Sequence, residues 1–197
     1  LRAISEHGLR VESASAGDFT LNIPVLERPG HASDVDLVLF CVKSYDNETA
    51  IETIRPVVGE ATAILTLQNG IGSGDRLIEA FGAGRVLLGA AYIEAMRRAP
   101  GVVAQLVGSP RIVFGEPDGR ETPRALRVRD ALQRAGVDAR LTSSVQSELW
   151  NKLIFICALS GMTCITRASL SAVMETPETL DLTRCVLLEA EQVARAK

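Results

Sequence analysis

The chain reads as an α/β protein: a Rossmann-like, doubly wound, mostly parallel sheet followed by an all-helical part. Three observations predict this. Val35-Asp-Leu-Val-Leu-Phe-Cys-Val42 and Ala61 to Leu67 are nearly unbroken apolar runs of strand length, the pattern of parallel strands covered on both faces. Helical periodicity from Glu48 to Val58 lies between them and another helix follows the second, which is the order of β-α-β units. From Thr142 onward the alternation stops and the pattern is helical to Lys197.

Taken in order, Leu1 to His7 is a helix end closed by Gly8. Leu9-Arg-Val-Glu and Phe19-Thr-Leu-Asn-Ile flank a polar turn and predict a hairpin or short meander. Gly59 closes the helix after the first buried strand, and Ile71-Gly-Ser-Gly-Asp opens the helix that runs to Phe81. Arg85 to Ala91 returns to strand, and Val102 to Glu116 reads as extended segments joined by a turn at Gly108-Ser-Pro110. Thr122 to Ala135 is a charged amphipathic helix ended by Gly136, and Val137 to Leu141 is a last short strand. Ser143, followed three residues later by Gln146, has the spacing of a capping box and predicts the start of a long helix. Pro177 separates it from a final helix beginning near Glu178. The change of pattern places a domain boundary there, with 1–143 as one domain and 144–197 as another.

Composition excludes several classes. The 197 residues are 47% apolar and 23% charged, with a net charge of −3 and mixed signs, so neither a nucleic-acid stripe nor a polybasic membrane patch is present. Only His7 and His31 occur, which supports neither a histidine metal site nor a histidine-based triad. Cys41, Cys157, Cys164 and Cys185 form no Cys-x-x-Cys pair and sit in apolar or helical contexts, where thiols pack as small hydrophobes. The expected compartment is the reducing cytoplasm. No apolar run of membrane-spanning length is expected. The chain opens without Met in what reads as the last turns of a helix, and ends inside another helical pattern, as an internal piece of a longer protein does.

The chemistry centres on Lys152. From Leu153 to Leu159 the long helix is apolar on every side, so it is expected to be buried, with Lys152 where it enters the core. An ammonium so placed is costly unless it is partnered or its pKa falls, which makes it a candidate proton donor. A second reading stands beside this one. Glu148 lies one turn earlier on the same face, in the favourable order for an ordinary helical ion pair worth about 0.3–0.5 kcal/mol.

Ligands of open parallel sheets bind outside the carboxyl ends of the strands. The first buried strand runs out into Lys43 and the second into Asn69, so both emerge at one edge of the sheet. A lysine there can meet a phosphate, and an asparagine amide can hold a carboxamide or carbonyl; a solvated strand-end charge and an Asn-Gly turn are the structural alternatives. Gly70-Ile-Gly-Ser-Gly74 lacks the Gly-x-Gly-x-x-Gly spacing and reads mainly as a flexible helix entry.

With these residues assembled, the chain resembles the ketopantoate reductase family, NADP-dependent oxidoreductases akin to the 6-phosphogluconate dehydrogenase-like group. The resemblance rests on Val-Lys-Ser-Tyr-Asp at 42–46, Leu-Gln-Asn-Gly at 67–70, Leu88-Gly-Ala-Ala-Tyr-Ile and Leu149-Trp-Asn-Lys-Leu, in order and at family spacing. It implies NADP as cofactor, a small keto-acid substrate and Lys152 as the catalytic lysine that protonates the ketone oxygen. It also implies that Asn69 helps place the nicotinamide end, that Lys43 approaches the adenosine 2′-phosphate, and that the backbone near Ala95 lines the nicotinamide site. The helical part is the expected surface for substrate binding and for a homodimer. Both domains are then truncated: the family's glycine fingerprint would precede Leu1, and its C-terminal acidic and serine residues would follow Lys197. Family members acting on ketopantoate carry asparagines one and two turns after the lysine, where this chain has Ile156 and Ser160. The alternative from another class is a non-catalytic dinucleotide-sensing or protein-interaction module.

Overall fold

The computed structural model describes residues 1–27, 29 and 35–197, so that His31 lies outside the described residues. It divides into two compact units, one of residues Leu1–Gln68 with Ser73–Val145, the other of Asn69–Gly72 with Gln146–Lys197.

The first unit is built on a seven-stranded mixed sheet. Strands β1 (Leu9–Ser13), β2 (Phe19–Leu21), β3 (Leu37–Phe40), β4 (Ala63–Thr66), β5 (Val86–Ala99) and β6 (Val102–Gly115) lie in the order β2-β1-β6-β5-β4-β3, and β7 (Asp138–Leu141) pairs with β6. The three strands β3, β4 and β5 run parallel, with Leu39 opposite Leu65 and Leu65 opposite Leu87. Their apolar runs are explained by helices on both faces. On one side Ala63, Leu65, Leu87 and Phe114 pack against Ala125, Val128 and Leu132 of α4 (Pro123–Arg134), residues three and four apart on one helical face. Leu88, which alternation turns to the other side, meets α3 (Ser73–Phe81) at Gly74. The helix α2 (Asn47–Ile54) and a following 3₁₀ turn connect β3 to β4.

Gly74 illustrates how the structure revises the sequence reading. It is buried, and a Cβ there would collide with Leu88 Cδ2, so this glycine serves packing and not flexibility. Gly70 and Gly72, by contrast, have φ of 100° and 83° and make the left-handed turns that lead from β4 to α3.

Strands β5 and β6 form a hairpin much longer than the sequence predicts. Antiparallel pairing carries the chain through Gly108 (φ 68°), where a turn was expected, and register shifts at Tyr92/Glu94, Glu94/Ala95 and Arg97/Ala99 absorb the irregularity. Val86 to Ala90 are buried, whereas Ile93 to Ala99 are exposed. The outer end of β6 pairs with β1, and β2 completes the predicted hairpin on β1, preceded by α1 (Arg2–His7). At the opposite end of the sheet β3 is the edge strand, with Leu39 48% exposed.

A buried ion pair fastens α4 to the sheet. The Glu116 carboxylate, directly after β6, accepts from Arg124 Nε at 2.8 Å and from Arg124 Nη2, which also donates to the Ala83 carbonyl at 3.0 Å. Thr122 donates to the same carboxylate and caps α4 by accepting the Ala125 N–H at 3.2 Å.

The second unit consists of α5 (Val145–Thr166), α6 (Leu170–Glu175) and α7 (Pro177–Arg195). The helix α5 begins one residue later than the Ser143–Gln146 spacing predicts, and the Thr142 hydroxyl accepts the Ser144 N–H at 3.1 Å just before it. It ends at Arg167, whose φ is 55°. The expectation of burial on all sides is corrected. Val145, Ala158 and Met162 are buried, but Phe155 is 55% and Ile165 75% exposed in this chain. By length and composition alone α5 could cross a membrane, which the sequence reading did not anticipate. All four cysteines are likewise exposed and free, not packed as expected; partial burial pushes the Cys41 thiol pKa up.

Candidate active site

The carboxyl ends of β3 and β4 are tied together by one side chain. Gln68, two residues beyond β4, donates from Nε2 to the Val42 carbonyl at 2.7 Å and to Asn47 Oδ1 at 2.6 Å. Both amides are buried, at 7% exposure each. A buried amide must find partners, and here those partners are the backbone just before Lys43 and the first residue of α2. Gln68 thereby fixes the exits that carry Lys43 and Asn69, the next residue in each case. The sequence reading missed Gln68 and Asn47. The available signal was an amide directly after a run of buried apolar residues.

Lys43 itself is exposed, in extended backbone, and its carbonyl accepts the Asp46 N–H at 2.9 Å to start the turn Ser44–Asp46. Its ammonium therefore stands in solvent at the strand exit. Asn69 is exposed as well and is followed by the left-handed Gly70, around which a Cβ would meet nothing within 4 Å. The backbone there is open to an approaching ligand. Ala95 lies on the exposed outer half of β5, opposite Gln105 and beside a register shift.

Lys152 occupies the second turn of α5 and is half-buried. Burial pushes its ammonium pKa below the usual lysine value of 10.5. Ile156 follows one turn later, half-buried, and Ser160 two turns later, exposed. The structure thus gathers Asn69 and Lys152 into the helical unit and leaves Lys43 and Ala95 in the sheet unit. Among the described residues no group of three or more His, Cys, Asp or Glu side chains could hold a metal ion.

A doubly wound sheet with polar side chains at its carboxyl edge, followed by helices that present a half-buried lysine, defines a Rossmann-like architecture with a helical C-terminal part. Comparison with known proteins narrows the class. The profile of the family described as Ketopantoate reductase PanE/ApbA matches residues 1–119, and that of its C-terminal region matches 144–197. The chain belongs to the ketopantoate reductase family.

Among its relatives is the 2-dehydropantoate 2-reductase of Aquifex aeolicus, 31% identical over 159 residues, which cover 80% of this chain and 51% of that protein. The enzyme of the same name from Halobacterium salinarum is 29% identical over 197 residues, covering 100% of this chain and 64% of the relative. The crystal structure of 2-dehydropantoate 2-reductase from Geobacter metallireducens superposes with a TM-score of 0.90 at 35% identity, covering 98% of this chain and 64% of that one. The chain therefore spans between about half and about two thirds of the length of these relatives.

Proposed function

We propose that the intact protein is a nicotinamide-dinucleotide-dependent reductase, using NADPH to reduce 2-dehydropantoate to pantoate or a related 2-oxo acid to its hydroxy acid. The observation that carries this reading is Lys152: a half-buried ammonium with a lowered pKa, in a chain of this family. A group of that kind can give up a proton more readily than a solvated lysine.

The residues at the strand exits fit such a cofactor. Lys43 offers an exposed cation for a phosphate, the Asn69 amide can donate to and accept from a carboxamide, and the open backbone at Gly70 leaves room for close approach. When bound, NADPH supplies the hydride. Lys152 Nζ holds the substrate's carbonyl oxygen, stabilises the negative charge that grows on it and gives it a proton. Asn69 orients the carboxamide end of the cofactor and the substrate, Lys43 holds the 2′-phosphate that distinguishes NADPH from NADH, and the backbone at Ala95 lines the nicotinamide site.

The same reading puts the protein in the cytoplasm, with the helical unit as the surface of a homodimer. A sensing or interaction module is disfavoured by the reductase names of the relatives. The test is to titrate the intact protein with NADPH and NADH and then to follow NADPH absorbance with a panel of 2-oxo acids. Tighter NADPH binding with turnover supports the reading. NADPH binding without turnover of any ketone favours the sensing module.

A further inference from the structure

We propose that the sheet unit holds a further small-molecule site, at the amino end of β5, for an organic oxyanion: a carboxylate or phosphate group carried on a small hydrocarbon body. A cleft of about 440 Å³ opens there, where the turn Ala83–Arg85 enters β5, the segment after β6 turns back and α4 begins. Its volume is that of a metabolite pocket. Because β3, β4 and β5 run parallel, this end of the sheet is opposite to the one from which Lys43 emerges.

Three arginines line the cleft, Arg120, Arg124 and Arg127. The two carboxylates beside them are already occupied. Asp118 accepts the Arg120 N–H at 3.1 Å and Arg120 Nε at 2.8 Å, while Glu116 takes the Nε and Nη2 edge of Arg124 together with the Thr122 hydroxyl. These pairings cancel two of the three positive charges. The third belongs to Arg127, which is exposed and makes no ion pair or hydrogen bond among the described residues. It stands three positions after Arg124 on α4, so the two guanidinium groups share a helical face. Arg124 adds a donor of its own. Its Nη2 reaches the Ala83 and Val86 carbonyls at 3.0 and 3.3 Å, but its Nη1 is buried and has no hydrogen-bond partner among the described residues. A buried donor without a partner is costly, and an oxyanion lodged in the cleft would satisfy it.

The charge left over selects a single anionic group, and the guanidinium fork suits a carboxylate or a phosphate equally. The remaining walls select what that group is attached to. They are Pro117, Pro123, Ala83 and Gly84, with the methylene stems of the arginines. Such walls offer little to a hydroxylated ligand, whereas a hydrocarbon body gains by covering them, and an aromatic ring also stacks on guanidinium. A bare inorganic ion would use the charge and leave this surface wet.

The test titrates the intact protein calorimetrically with benzoate and phenyl phosphate, and with acetate and inorganic phosphate as their counterparts without the ring, at matched ionic strength. At least one aromatic anion should bind, about tenfold or more tighter than its counterpart, and the tighter of the two identifies the headgroup. Arg127→Glu, a change at an exposed and unpaired side chain, should weaken that binding by about tenfold or more and leave NADPH affinity unchanged. Lys43→Ala should leave the binding of the aromatic anion as it is. Failure of both aromatic anions to bind at millimolar concentration overturns the proposal, as does binding indifferent to Arg127→Glu. Binding lost in Lys43→Ala instead overturns it by placing the anion at the strand exits, and equal affinity for acetate or inorganic phosphate overturns the hydrocarbon body.

Discussion

The Gln68 amide donates to the Asn47 side-chain oxygen at 2.6 Å, joining the exit of one parallel strand to the first turn of the helix that follows its neighbour. The same nitrogen holds the Val42 carbonyl, so a single buried side chain sets the backbone from which Lys43 and Asn69 emerge. Replacing Gln68 with Ala leaves the buried Asn47 amide without this partner. The expected cost is about 1–3 kcal/mol of stability, together with weaker NADPH binding. Denaturant unfolding and a cofactor titration of the variant would measure both, and an unchanged NADPH affinity would show that the clamp does not position the site.

Glu116 and Arg124 should be far less tolerant. The pair is largely buried, with side chains 4% and 18% exposed, and Arg124 also holds the Ala83 carbonyl. Removing one partner strands the other charge, at an expected cost of about 3–5 kcal/mol. Arg124→Ala and Glu116→Ala should each lower Tm strongly, and the double variant should recover part of the loss. Additive losses in the thermal melts would contradict the pairing.

Two glycines at the same strand exit should fail for different reasons. Gly74→Ala pushes a methyl into Leu88, and overpacking of this kind costs about 1–3 kcal/mol. Gly70→Ala meets no atom but must adopt φ near 100°, at about 1–2 kcal/mol. Substitution by Asn separates them: Gly70→Asn should be better tolerated than Gly70→Ala, whereas Gly74→Asn should be worse than Gly74→Ala. Melting temperatures in the reverse order would refute this division of roles.

These residues show what the sequence made legible. The parallel strands are readable at Val35–Val42 and Ala61–Leu67 because both are continuous apolar runs, although only β4 is buried on both faces while the edge strand β3 leaves Leu39 exposed, and the positions of Lys43 and Asn69 follow from where those runs stop. Gln68 is not readable, since its partners Val42 and Asn47 are distant in the chain and become neighbours only once the strands pair. The outer half of the β5–β6 hairpin escapes for a related reason: Glu94, Arg97 and Arg98 make a polar stretch, and only cross-strand pairing keeps it extended. The periodicity of α5 gives a helix but does not say what covers it, so the exposure of Phe155 and Ile165 had no signature.

The pKa of Lys152 yields a signed prediction. Burial lowers it from 10.5, so between the lowered value and 10.5 the unfolded chain binds more protons than the folded one. Burial of the ammonium therefore opposes folding at neutral pH, and this opposition is relieved as pH rises through that window. Activity should change in the other direction, with kcat falling along a basic limb whose midpoint lies below 10.5 as the proton donor is lost. A pH–rate profile that stays flat through that range would exclude Lys152 as the donor.

The central claim is tested most directly by Lys152→Ala in the intact protein, assayed for NADPH binding and for NADPH oxidation with the best 2-oxo acid. Proton donation and charge stabilisation at one position predict that kcat falls by roughly 10²–10⁴-fold while NADPH affinity is retained. A folded variant that binds NADPH and turns over at the unmodified rate would contradict the account and leave Lys152 a structural residue of α5.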